Sequence, residues 1–99
     1  MAKRSSLSFA ESAISDLGEV IVWFTEQGIP ETGRKLVENV IAQTERLILY
    51  PDSGRVVPEF AMQDLREIIH PPFRIVYRRQ KGKIIIVRIW RSERLLKLP

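Results

Sequence analysis

The sequence predicts an α+β fold: an N-terminal strand, a two-helix antiparallel hairpin, then a three-stranded antiparallel sheet, in the order β-α-α-β-β-β. Three observations carry the prediction. The first half places apolar residues at helical spacing in two long stretches, separated only by a short break at Gly28–Pro30. The second half turns to short segments rich in Ile, Val, Phe and Tyr, punctuated by Pro71–Pro72 and by Gly82. The length of 99 residues suits one hydrophobic core and not two, so residues 1–99 read as a single domain.

The opening strand is expected in "KRSSLSF", where Ser5, Leu7 and Phe9 alternate with polar neighbours. Ser8 and Glu11 have the spacing of a capping box, and Ala13, Ile14, Leu17, Val20, Ile21 and Phe24 follow as a helical stripe. A first helix over Phe9–Gln27 results, stopped by Gly28. The acids Asp16, Glu19 and Glu26 are assigned to its solvated face, and Trp23 to the rim of its apolar stripe.

Pro30 suits the first turn of a second helix, and Glu31 beside it complements the positive end of the helix dipole. Leu36, Val37, Val40, Ile41, Thr44, Leu47 and Ile48 then repeat at helical spacing until Pro51. The passage "YPDSGRVVPEF" is turn chemistry, with a short "RVV" that Pro58 confines to a sheet edge or a strand end. Three strands follow at "LREIIH", "FRIVYRR" and "KIIIVRIW".

The register of the last hairpin decides which side chains face outward. A two-residue loop, Lys81–Gly82, pairs Ile75 with Arg88 and Arg74 with Ile89 and leaves both faces mixed. A three-residue loop, Gln80–Lys81–Gly82, sets Phe73, Ile75 and Tyr77 against Ile89, Val87 and Ile85, which makes one face wholly apolar. The sequence favours that second register. Arg74, Val76 and Arg78 then lie with Arg88, Ile86, Ile84 and Trp90 on a partly open face, with Arg74 directly across from Arg88. Such a mixed basic and aliphatic face suits an anionic or acidic-amphipathic partner.

Charge is unevenly distributed along the chain. Residues 1–52 hold five basic and eight acidic side chains, a net −3, and residues 53–99 hold eleven and four, a net +7. With no Cys and a single His, a zinc centre is not expected, and no cofactor is implied. No stretch approaches the roughly 20 apolar residues of a membrane helix, so the expected location is cytoplasmic and no membrane partner is expected.

The passage "YPDSGRVVPEF…LREI", the strand "FRIVYR" and the close "VRIWRSER" together resemble the RelE/ParE superfamily of toxins from bacterial type II toxin–antitoxin systems, over nearly the whole chain. The resemblance implies a helical hairpin on an antiparallel sheet and a cognate acidic antitoxin. It also implies one of two targets: ribosome-bound mRNA, which RelE-like members cleave, or DNA gyrase, which ParE-like members inhibit without being nucleases.

The RelE-like catalytic pattern fits poorly. Its arginine matches Arg74, its two lysine positions fall on Arg66 and Ile68, and its later arginine is Arg91 only after a one-residue slip. The terminal tyrosine has no counterpart in "RLLKLP", and the histidine of other nuclease-like relatives is replaced by Arg91. His70 before Pro71–Pro72 has no named partner for general base chemistry. The resemblance therefore implies a ParE-like gyrase inhibitor rather than an enzyme. Its antitoxin- and target-binding surface would be Arg74, Arg78, Arg88, Trp90, Arg91 and Arg94, with Lys97 in the basic tail. The alternatives are an mRNA endonuclease using Arg66, Arg74 and Arg91, and a degenerate toxin that only binds its antitoxin.

Overall fold

A computed structural model describes residues 5–91. Its elements are β1 (Ser6–Phe9), α1 (Glu11–Glu26), α2 (Pro30–Glu45), a short 3₁₀ turn (Arg46–Ile48), β2 (Arg55–Val56), β3 (Leu65–His70), β4 (Phe73–Gln80) and β5 (Lys83–Arg91). The fold class is the expected one, but the sheet has five strands rather than three, in the order β1-β5-β4-β3-β2. Two short edge strands account for the difference. The first, β1, lies parallel to β5, and "RVV" contributes the two-residue β2 beside β3.

The helical hairpin follows the local signals with one exception. α1 ends in a Schellman arrangement, in which the Gly28 N–H donates to Thr25 O and the Ile29 N–H to Phe24 O, with Gly28 at φ +77°. Pro30 opens α2 as expected. The Ser8–Glu11 capping box does not form, because Ser8 is consumed by β1 and the helix begins after Ala10 without a side-chain cap.

The β4–β5 register differs from the expected one. Gln80 pairs with Lys83, so the loop is the two-residue Lys81–Gly82, with Gly82 at φ +72°. What rescues this register is a bulge. Tyr77 pairs with Ile86 but Val76 with Arg88, leaving Val87 as the extra residue, and beyond it Ile75 meets Ile89 and Arg74 meets Trp90. Each side of the bulge keeps apolar residues on the helix face: Ile84 and Ile86 before it, Ile89 after it. Ile84 and Ile86 are thus fully buried in the core with Phe73, Ile75, Tyr77, Ala13, Val40 and Leu47, not on an open face. Arg74 and Arg88 are not opposite one another, so the like-charge pair the sequence suggested does not exist.

The second face of the sheet is also covered. Residues 57–64 fold back over it, and Val57 forms a second small core with Leu65 of β3 and Val76 of β4, against Phe60 and Trp90. On the helix side the connection into β2 is fixed by Tyr77, whose hydroxyl accepts from the Gly54 N–H at 3.0 Å and donates to Pro51 O at 2.8 Å. A Cβ at position 54 would stand 2.6 Å from that hydroxyl, so only glycine admits the contact.

Burial pushes the Tyr77 phenol above its ordinary pKa. The unfolded chain therefore releases this proton first as pH rises. The resulting stability is complete below about pH 10 and is lost as pH climbs from there through the folded value. Tyr77→Phe should lower stability by about 1–2 kcal/mol at neutral pH, because the Gly54 N–H loses its acceptor. In denaturant titrations from pH 8 to 11 the variant should also fall less steeply with pH than the parent; parallel slopes would contradict this role for Tyr77.

Candidate functional site

Arg74, Arg78 and Arg79 of β4 and Arg88 of β5 are engaged by carboxylates of the same chain. Arg74 is nearly buried, and three of its nitrogens donate to acids: Nε to Glu67 Oε1 at 2.6 Å, Nη1 to Glu59 Oε2 at 2.7 Å and Nη2 to Glu59 Oε1 at 2.8 Å. The Glu67 side chain is 0% exposed, and its other oxygen accepts from Arg55 Nε at 2.7 Å. Among the described residues, two arginines and two carboxylates thus form one network on the face opposite the helices. The Glu59 hydrogen bonds raise the Arg74 pKa above its already high ordinary value, outweighing the burial that lowers it, and Glu67 adds to the rise.

At the other edge of the sheet, Asp16 does what no solvated helix acid would do. It is buried, and it accepts from Arg88 Nε at 2.8 Å, Arg88 Nη2 at 2.9 Å and the Ile89 N–H at 2.9 Å. One turn earlier the Ser12 hydroxyl donates to Val87 O at 2.6 Å. β1 ends its pairing at Ile86, and side chains of α1 take over the outer edge of β5 from there. Arg88 also lies over the Trp90 ring, 4.2 Å from its centroid, and Arg78 Nη1 reaches Asp64 at 3.1 Å.

The candidate residues therefore divide. Arg74, Arg88 and Trp90 are brought together on one face, with Arg78 further along it. Arg66 is on the other face, opposite Tyr77, where it donates to Gly54 O at 3.0 Å. Arg91 also lies on the helix side, opposite Phe73 at the far end of β5. The set Arg66, Arg74 and Arg91 is thus split across two faces and does not converge on one point. Arg94 and Lys97 lie outside the described residues.

A groove of about 410 Å³ opens where the helical hairpin leaves the sheet uncovered. Val20, Trp23 and Phe24 of α1, Ile29 of the turn, Leu36 of α2, and Phe73, Ile89 and Trp90 of the sheet line it, with Asp16, Glu19 and Arg91 at its polar positions. Trp23 is 51% exposed there and meets Phe24 edge-on at 4.8 Å between ring centroids. Residues 7–96 match the family described as the ParE toxin of the parDE type II toxin–antitoxin system. The chain belongs to the ParE toxin family.

Solved structures agree with this assignment at the level of the fold. The ParE-family chain is similar to a chain of the chromosomal ParDE toxin–antitoxin system from P. aeruginosa, with 24% identity and a TM-score of 0.78 over 93% of this chain and 100% of that one. It is also similar to a chain of the RelBE2 toxin–antitoxin complex from Mycobacterium tuberculosis, with 13% identity and a TM-score of 0.68 over 95% of this chain and 98% of that one. No protein of curated function matches the sequence.

Sequence reasoning did not find the groove or the acidic partners of the arginines. Asp16 carried a usable signal, since 13, 16, 17 and 20 fall on one helical face and place an acid inside the stripe that packs on the sheet. Glu67 carried another, alternating with Leu65 on the face that the structure buries. Glu67→Ala should destabilise this ParE-family toxin by about 3–5 kcal/mol in urea unfolding, because it leaves the buried Arg74 charge half-paired. A loss below about 1 kcal/mol would mean the network contributes little.

Proposed function

We propose that this ParE-family chain acts as a non-enzymatic toxin that inhibits DNA gyrase and is neutralised by a cognate acidic antitoxin seated in the groove. The observation that carries the reading is the position of Arg66 and Arg74 on opposite faces of the sheet. RNA cleavage through the 2′-hydroxyl needs a base and several cations directed at one phosphate. Here the arginine that matches the RelE-like pattern already holds two carboxylates, and a phosphate would have to displace one of them and lie beside the other.

The groove supports a protein partner instead. Its two tryptophans and its aliphatic walls offer the kind of desolvated pocket in which a few anchor side chains supply most of the binding energy. Arg91 at its rim can meet an acidic flank of the bound segment. Arg74, Arg78 and Arg88 contribute less directly, by holding the sheet that carries Trp90 and Arg91.

Two measurements test the reading. Purified toxin should abolish supercoiling by gyrase, and added antitoxin should restore it; full supercoiling at toxin excess, with codon-located cuts in translated mRNA, would point to the endonuclease instead. For the groove, Trp23→Ala should weaken antitoxin binding by about thirtyfold without lowering Tm. Unchanged affinity would remove the groove from the interface.

A further inference from the structure

α1 was expected to bury Ile14 and Ile21 with the rest of its apolar stripe. The structure exposes both, along with Val22, while Ala13, Leu17 and Val20 face the sheet. Ile14, Gly18, Ile21 and Val22 follow one another at steps of helical spacing, so α1 carries a second apolar stripe on the side away from the core. Ile14 is 57% exposed and Val22 55%.

Gly18 stands in the middle of this stripe. Among the described residues a Cβ added there meets no atom within 4 Å, so no contact with them requires glycine. Its presence in a helix interior costs about 0.5–1 kcal/mol relative to Ala. What it provides is a depression, lined by Ser15, Gly18, Glu19, Val22, Trp23 and Glu26, into which another backbone can come close.

The charge around the stripe selects the partner. Glu11, Glu19 and Glu26 flank it, and α1 contains no Lys or Arg, although the whole chain carries a net +4. We propose that the outward face of α1 is a docking surface for a helix of another protein whose apolar stripe is flanked by arginine or lysine. A basic side chain entering the depression meets the carboxylates of Glu19 and Glu26 and the neighbouring Trp23 ring, which suits charge-assisted hydrogen bonding and cation–π contact. A second copy of this chain is disfavoured there, because α1 against α1 sets acids against acids. The inference does not depend on the gyrase reading: Glu19 and Trp23 also line the groove, but Ser15, Gly18, Val22 and Glu26 belong to this surface and not to that one.

The test is a residue-resolved titration of the full chain by NMR with two helical peptides of about five turns. Both carry the same leucine–alanine stripe; one flanks it with arginines and the other with glutamates. The arginine peptide should shift the Gly18 and Val22 amides and the Trp23 indole, and the glutamate peptide should leave them in place. Gly18→Leu, which fills the depression at a position with free space, should weaken the arginine peptide by roughly tenfold while Tm holds or rises. The Glu19→Gln, Glu26→Gln double variant should weaken it comparably. An unmoved Gly18 amide, equal response to both peptides, or full affinity in both variants would overturn the proposal. So would the same shifts on raising protein concentration without peptide, which would mark self-association.

Discussion

Glu67 is a carboxylate without exposed side-chain surface on β3, beside the edge strand of a five-stranded sheet, and much of this structure follows from how its charge is met. A buried acid is tolerable only when it is paired and hydrogen-bonded. Arg55 from β2 and Arg74 from β4 meet it from either side, and Arg74 in turn draws in Glu59. Glu59 belongs to the segment that folds back over the sheet, so the same network that neutralises Glu67 helps hold Val57 and Phe60 over Leu65 and Val76. A polar cluster thereby closes a small apolar core that the helices cannot reach.

The opposite edge solves a different problem with the same chemistry. β1 is too short to pair the full length of β5, and an open strand end with free N–H and C=O groups invites other strands. Ser12 and Asp16 occupy that edge from the side of α1, and Asp16 also gathers Arg88, which covers the Trp90 ring. Arg74, Arg78, Arg79 and Arg88 of the last two strands thus serve first to build the fold. Of the acids in the positive half of the chain, Glu59, Asp64 and Glu67 each bind an arginine. A half-chain net charge of +7 is therefore a poor measure of the cationic surface presented to a partner.

Local signals in the sequence were sufficient for what depends on neighbours along the chain. The helical periods, the stop at Gly28, the start at Pro30 and the three long strands were all legible. The register of the last hairpin was not. A two-residue loop mixes the faces along any regular ladder, and only the extra Val87 resets them; alternation has no term for a bulge. The same limit hid the fate of Ile84 and Ile86, which exchanged an expected open face for the core. Asp16 and Glu67 were harder still, because their burial depends on arginines far along the chain. Trp23 was legible as a rim residue, but the groove beside it is made by Ile29, Pro72 and Trp90 together and has no local signature.

Arg74, the sheet arginine best placed to match a nuclease, is committed to the fold. The most direct test of this commitment is the Arg74 Nε–H resonance in the intact protein, followed by NMR while a single-stranded oligoribonucleotide is added. A proton held between Glu67 and the sheet should exchange slowly with solvent and keep its shift throughout the titration. Rapid exchange together with a saturable shift on adding RNA would show that Arg74 leaves its carboxylates for phosphate, and would contradict the account.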